Sequence, residues 1–484
     1  MRVLMIYSIP TEFAFRLHHA RPRFKSDVES VLLFMCQRIS NLERQPTSDY
    51  DAELFQMIRA YPGNSLKTAK TIHNWRTEIP ALFGLINTQG NISEPGFYAR
   101  LLAENEDLIE FFRYFLFSFQ YPGGHIKPNK IAEQIIAGVQ FHPTKFIIEL
   151  FLEGQKLLGD QKQFELTSAE LTSLAFNDLR VTAFKTHDAA FVAQKILSNR
   201  RARITYDQTG DVVRYAQDIL DYMVLADILT KRSNTNSYHL KIQGNDVALK
   251  IMNRAPIFQG YQHLYGAGIP PLQEIAEIED DWLQFVNEDR VSEAFEGDIL
   301  SILATENAET KVEIDNLIAG LKKALEGDAR DIGRAGEAII INHEILRLRG
   351  LNRVELANKV KKIPDHFGVG YDILSYEGLN QAKMAELNRY IEVKTTRSKR
   401  MLTGNSFTLT PNEWNAARSH GDTYFVYRLI ISEGALRLFV INNPYEEERK
   451  GTLTMSPRNG AEISYTEDSG AWEEVLIPTA EAIS

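Results

Sequence analysis

The chain has 484 residues, 44% of them hydrophobic and 24% charged, which excludes a disordered or collagen-like polypeptide. That length leaves room for about three domains. The single cysteine, Cys36, excludes a disulfide framework and any cysteine-based zinc module, and predicts a reducing, cytoplasmic setting. The formal net charge of −10 is unevenly spread. Residues 1–270 carry +3 (30 Lys/Arg, 27 Asp/Glu), 271–330 carry −11 (5 and 16), 331–445 carry +4 (16 and 12), and 446–484 carry −6 (3 and 9). Local charge decides whether a surface meets phosphate, so the total does not exclude a nucleic-acid partner.

The apolar run at residues 1–10 is too short to span a membrane and has no small-residue cleavage site, so no signal peptide is expected. No run of about 18 apolar residues follows, and no membrane partner is expected. Residues 27–43 carry Val28, Val31, Leu32, Met35, Ile39 and Leu42 near the helical period. A second short helix at 53–59, a Tyr-Pro-Gly-Asn turn at 61–64, a polar basic helix at 65–76 running on to 83, and an apolar strand follow. These are the parts of a winged helix-turn-helix. The pattern recurs more weakly: a helix opens near Ser168 and Leu171, another covers 212–225, and a wing-like stretch runs through 226–241. Residues 1–150 and 151–270 are therefore expected to be two winged-helix-like regions. Helix packing without DNA contact is the plainer reading of each. Lys67, Lys70 and Arg76 on the basic helix are the expected phosphate contacts.

Residues 271–330 read as an acidic helical connector with apolar Leu300, Ile302, Leu303, Ile314, Leu317, Ile318, Leu321 and Leu325, stopping at Gly327. From 331 the pattern changes. A helix at 331–349, short strands at 371–375, 390–394, 407–409, 424–431 and 436–441, and a helix at 412–419 predict an α/β domain over 331–445 with a mixed sheet. The tail 446–484 is expected to be acidic and peripheral.

Chemistry concentrates in this last block. Glu392 and Lys394 sit at i and i+2 of a strand and point the same way, with Val393 turned to the core. If the strand near 371–375 pairs with it, Asp372 joins them. Two close carboxylates repel unless a cation sits between them. Hard oxygen donors without His or Cys favour Mg²⁺, bound by Asp372 and Glu392, and a neighbouring lysine can orient or deprotonate a water. Glu337, after Gly333 and Gly336 on the preceding helix, is a fourth candidate, and Glu344 is either a further acid or a surface charge. A surface ion pair between Glu392 and Lys394 is the plainer reading. Arg397, Lys399 and Arg400 follow the strand and are expected to meet DNA. The eleven histidines show no metal-ligand spacing, and no phosphate-binding Gly-x-x-x-x-Gly-Lys-Ser/Thr loop occurs.

Five ordered blocks carry a resemblance: Gly333-x-x-Gly336-Glu337; Gly370-Tyr371-Asp372-Ile373; Tyr390-Ile391-Glu392-Val393-Lys394-Thr395; Phe407-x-Leu409-Thr410-x-Asn412-Glu413-Trp414; and Gly421-Asp422-x-Tyr424-Phe425-x-Tyr427-Arg428. Over 331–430 the chain resembles the NO VEIN C-terminal domain family, a branch of the PD-(D/E)xK nuclease superfamily. The resemblance implies Asp372, Glu392 and Lys394 as the catalytic core, with Glu337 as a helix-borne acid. The literal Pro364-Asp365 pair precedes a loop and is passed over for Asp372.

The fold class expected is an α+β multidomain protein, with a helical winged-helix-like N-terminal region and a C-terminal restriction-endonuclease-like domain. The function expected is a Mg²⁺-dependent DNA endonuclease of a restriction, antiviral-defence system. It would act on double-stranded DNA and dimerise at least on DNA, since one chain holds one set of acids. The alternative is a DNA-binding defence component whose nuclease fold is inactive or partner-dependent.

Overall fold

The alternation at 390–394 extends, in the computed structural model, into a ten-residue strand that runs through the largest sheet among the described residues. The structure describes all residues except 1–4, 20–27, 60, 62–63, 65–66, 160–161, 209–210, 233, 242–244, 291–298, 304–310, 325–330, 379–386, 401, 403–405, 459 and 478–484. The chain divides into two units, each gathered from separate stretches. Residues 1–25, 38–100 and 110–295 form the first; 26–37, 101–109 and 296–484 form the second. The cuts expected at 150, 270, 330 and 445 run in chain order, whereas these two units interleave.

Helix α1 (Val28–Ser40) begins in the second unit and ends in the first. The first unit continues with β1 (Gln45–Pro46), α2 (Thr47–Arg59), α3 (Ala69–Phe83), β2 (Ile86–Gln89) and β3 (Ile92–Pro95). The three strands pair antiparallel in the order β1-β3-β2. Helix α3 starts at 69 rather than 65 because the Thr68 hydroxyl caps it, accepting from the Thr71 N–H at 3.4 Å; the expected Ser65-Leu66 start lies outside the described residues. It buries Ile72, Trp75, Ile79, Leu82 and Phe83 and ends at Gly84 in the left-handed conformation. A second set follows: β4 (Leu166–Thr167), helices α4 (Ala189–Ala202) and α5 (Asp211–Leu225), and β5 (Leu229–Arg232) with β6 (Ser237–Leu240), ordered β4-β6-β5.

The acidic stretch is no connector. Its helices Leu272–Glu277 and Glu279–Val286 belong to the first unit and bury Ile275 and Trp282, with Ile278 buried at the junction between them. A Cβ at Gly124 would lie 2.4 Å from the Trp282 ring. Helices Ile299–Leu303 and Lys311–Ala324 instead give Leu303 and Leu321 to the core of the second unit. The apolar stripe outweighs the surrounding charge, because each helix needs only one buried face. Leu325 and Gly327 lie outside the described residues.

The second unit comprises α6 (Ile332–Gly350), β7 (Lys361–Lys362), β8 (Ile373–Tyr376), β9 (Asn388–Arg397), β10 (Ser406–Leu409), α7 (Pro411–His420), β11 (Tyr424–Ser432), β12 (Ala435–Asn442), β13 (Leu453–Arg458), β14 (Gly460–Tyr465) and β15 (Ala471–Glu473). Six strands form one mixed sheet, β15-β12-β11-β9-β8-β7, in which β9 and β11 run parallel and the other neighbours antiparallel. Ala335, Ile339 and Ile340 of α6 pack with Ile373, Ile391, Tyr427 and Leu429 in one core. Ala416 and Ala417 of α7 pack with Tyr424, Val426, Phe439 and Ile441 in another. Two expectations are corrected here. Strand β10 leaves the main sheet and pairs with β14 in a second one, β10-β14-β13. The tail is not peripheral, since Leu453, Ala461, Ile463 and Tyr465 are buried and β15 extends the main sheet.

Gly336 lets α6 lie against β9. A Cβ there would stand 1.9 Å from Thr395 Oγ1 and 2.9 Å from its Cβ. Gly336→Ala is expected to destabilise the second unit by about 1–3 kcal/mol through overpacking, measured by denaturant unfolding. No such contact surrounds Gly333, so a shift there should be much smaller.

Candidate active site at the paired ends of β8 and β9

Strands β8 and β9 pair with Ile373 opposite Ile391. This register sets Asp372, one residue before β8, beside Glu392. The Asp372 N–H donates to the Ile391 carbonyl at 2.9 Å, and Asp372 Oδ2 accepts from the Val393 N–H at 2.8 Å. Gly370 makes this turn possible: its φ is +79°, and a Cβ there would meet the Asn412 carbonyl oxygen at 2.5 Å. Glu392 and Lys394 share a face, as the pleat requires, and Lys394 Nζ lies 2.8 Å from Glu392 Oε1.

Lys394 has a second carboxylate partner, Glu413 Oε2, at 2.9 Å. Glu413 is the third residue of α7 and closes a capping box with Thr410, whose N–H donates to the same oxygen at 2.9 Å. Sequence reasoning placed Glu413 at a helix start without a role. The Thr-x-x-Glu spacing fixes that start, and only the packing of α7 on the sheet brings Glu413 to the lysine. Glu337 of α6 ion-pairs with Lys362 of β7 and raises the affinity of Asp372 for a proton through its charge.

The electrostatics follow from burial and like charge. Burial pushes the Asp372 carboxyl up to about 6, helped by Glu337 and Glu413 and opposed by the Val393 N–H and Lys394. Burial likewise pushes Glu392 well above the carboxylate range, with Asp372 and Glu413 adding to it and Lys394 opposing. Burial works against a charged Lys394, but Glu392 and Glu413 outweigh it and hold the ammonium above its usual range. Among the described residues, four carboxyl groups, Asp372, Glu392, Glu413 and Glu337, gather around two ammonium groups, Lys394 and Lys362. Among the described residues no three His, Cys, Asp or Glu side chains form a metal cage. Two hard carboxylates, with waters and phosphate completing the shell, match Mg²⁺ coordination in phosphate chemistry.

Glu344 is neither a site acid nor a surface charge. It is fully buried and accepts from Arg347 (2.8 and 2.7 Å), Ser375 (2.6 Å) and Tyr427 (2.8 Å). Asp365 lies in the turn Asp365–Phe367; its side chain is outside the described residues.

The basic run that ends β9 and continues beyond it separates. Arg397 is 1% exposed, donates to Asp107 Oδ1 at 2.9 Å, and pairs also with the other oxygen of that carboxylate. Lys399 is 3% exposed and reaches Glu433 at 3.2 Å. Their expected contact with DNA does not fit this burial; both are spent on acids within the second unit. Arg400 remains exposed. Next to Arg397, the Thr396 hydroxyl donates to Glu106, which also holds Arg428 at 2.6 Å and Gln37 at 3.2 Å. Glu29 of α1 accepts from the Lys399 N–H at 2.7 Å.

Burial pushes the Glu29 carboxyl up to about 7, against the Lys399 N–H and the Arg400 charge. The folded chain therefore holds this proton more tightly than the unfolded one. The stability so gained is complete below the unfolded value of 4.5 and is lost as pH rises through about 7. Glu29→Gln is expected to flatten this part of the profile and to gain up to about 3 kcal/mol on the parent between pH 5 and pH 8, read from unfolding curves at each pH.

In the first unit, Lys67 and Lys70 are exposed, and Lys67 Nζ stands 4.6 Å from the centre of the Trp75 ring. Arg76 is held by Asp51 at 2.8 Å. No helix among the described residues is long and apolar enough to cross a membrane.

Comparison with known proteins defines the two halves. The family model "Protein NO VEIN, C-terminal" matches residues 336–441, so the resemblance read from the five blocks holds. The family model "Restriction endonuclease BpuJI - N terminal" matches residues 7–283, more than half of the chain. The chain belongs to this BpuJI N-terminal family, which the sequence reading did not recognise. Among solved structures, the chain is similar to one described as "pyrene- and phenanthrene-modified DNA in complex with the BpuJ1 endonuclease binding domain". The identity is 20% and the TM-score 0.51, over 58% of this chain and 100% of that one. This likeness is one of fold. No curated protein matches the chain.

Proposed function

We propose that the chain is a Mg²⁺-dependent DNA endonuclease of restriction type, in which residues 7–283 hold a specific duplex and the second unit cuts it. The observation that carries this reading is the convergence of Asp372, Glu392 and Lys394 on one face, with carboxylate charge in excess. The strand order β7-β8-β9-β11, with α6 before it and α7 between β9 and β11, supports a PD-(D/E)xK fold. The run β1–α2–α3–β2–β3, with its three-stranded sheet, supports a winged helix, and β4–α5–β5–β6 supports a second. Lys67 and Lys70 near the start of α3 and Arg400 in the second unit would position DNA, and Arg76 would join them on leaving Asp51; base contacts would come from their neighbours.

Asp372 and Glu392 are the residues that would hold Mg²⁺. Bound there, the ion supplies Lewis-acid polarisation of a phosphodiester and its attacking water. Glu392 and Glu413 keep Lys394 an ammonium, so its part is to orient that water and offset charge developing on the phosphate, rather than to take a proton. One chain carries one such set, and cutting both strands is simplest for a twofold dimer formed on DNA.

The test is incubation of purified protein with modified and unmodified plasmid, with Mg²⁺ or with EDTA. Discrete Mg²⁺-dependent double-strand products, at a rate steeper than linear in enzyme on a one-site plasmid, are expected. Intact plasmid under every condition would reject the endonuclease, and linear dependence would reject the dimer.

A further inference from the structure

The face of β9 that carries Lys394 and Glu392 continues to Tyr390, two residues on. Tyr390 packs against His420, at the end of α7, with ring centres 3.9 Å apart and ring planes tilted by 30°. Tyr371, next to Asp372, closes the group at 4.8 Å from Tyr390 and 5.9 Å from His420. All three rings are half-buried, and Tyr371 and Tyr390 lie at the edge of the core formed by Ala416, Ala417, Tyr424 and Val426. The Tyr390 hydroxyl accepts from Asn388 at 2.9 Å, which fixes the ring. Among the described residues no hydrogen bond engages the His420 ring nitrogens or the Tyr371 hydroxyl. The loop before Gly370 adds two outward apolar side chains, Phe367 at 61% and Val369 at 40% exposure.

We propose that Tyr371, Tyr390 and His420 form a stacking subsite for an unpaired nucleobase beside the scissile phosphate. This rests on the nuclease reading for its neighbour, the carboxylate site. Residues two apart on a strand are separated by about 6.6–6.8 Å. That is close to two base steps at about 3.4 Å each, so a phosphate at Glu392 leaves a nearby base within reach of Tyr390. A base has a π-face for the rings, and polar edges for a free imidazole and a free phenol. An aliphatic partner would leave those polar groups unused. Burial lowers the proton affinity of His420, which favours the neutral ring that can both donate and accept. The substrate class that follows is a duplex frayed, mismatched or opened at the cut, in preference to an undistorted one.

The test compares the full chain's affinity for a labelled oligothymidylate with that for the same phosphate backbone lacking all bases. Anisotropy is read in EDTA and again with Ca²⁺. The parent protein is expected to prefer the base-bearing strand, and Tyr390→Leu and His420→Leu each to shrink that preference about tenfold, while Tyr390→Phe keeps it. A preference unchanged in the folded His420→Leu protein, or absent in the parent, overturns the subsite. If Tyr390→Leu does not fold, His420→Leu and the parent decide alone. Loss of base preference in the variants, with no plasmid cleavage by the parent, would retain the subsite and reject the nuclease. Cleavage with an unaltered preference would do the reverse.

Discussion

Arg397→Ala is expected to cost about 3–5 kcal/mol and to unfold the second unit well below the temperature of the parent protein. Arg397 is almost wholly excluded from solvent and is gripped by both oxygens of Asp107. Its removal strands a buried carboxylate with its principal cation gone. The cost is that of an uncompensated charge, not the modest worth of a surface pair. Arg397→Met tests the distinction. With Asp107→Leu it replaces the pair by apolar groups of similar bulk, and the double variant should regain most of what either single change loses. Calorimetry and urea titration measure both. A single Arg397→Ala variant as stable as the parent, yet impaired in DNA binding, would return Arg397 to the role its position in a basic run suggests.

Lys394→Ala and Asp372→Asn are each expected to reduce plasmid cleavage by at least about a hundredfold while leaving affinity for DNA within about threefold, measured by gel shift with Ca²⁺. The two losses have different causes. Asp372→Asn removes a carboxylate charge from the cation site but keeps an oxygen to accept from the Val393 N–H. Lys394→Ala frees Glu392 and Glu413 to repel each other at the place the ammonium now joins them. Full cleavage by both variants would remove the site from the reaction.

Much of this site was legible in the sequence. Asp372, Glu392 and Lys394 follow from alternation in two short runs, and the structure pairs those runs in the required register. The helices at 331–349 and 412–419 were expected within a residue or two of where α6 and α7 stand, whereas the capping box that fixes the start of α7 was read only from the structure. The fate of the basic run was not. Thr396-Arg397-Ser398-Lys399-Arg400 has the same composition whether it meets phosphate or carboxylate. The deciding acids, Glu106 and Asp107, stand 290 positions from Thr396 and Arg397. Periodicity reads neighbours, and nothing local marks so distant a partner. The strands after 446 escaped notice because polar residues separate Leu453, Ala461, Ile463 and Tyr465, and one sheet face needs only every second position.

The docking of Glu29, Gln37, Glu106 and Asp107 into the second unit also governs when that unit can come into being. Glu29 meets Lys399 across 370 positions, and Asp107 meets Arg397 across 290. Such distant closures are slow to form, and during synthesis the amino-terminal partners leave the ribosome long before the strand they clasp. The sheet that carries Asp372 and Glu392 therefore becomes complete only after all of the BpuJI-like region, residues 7–283, has been made. On the function proposed above, a nascent chain would be able to hold DNA before it could cut it.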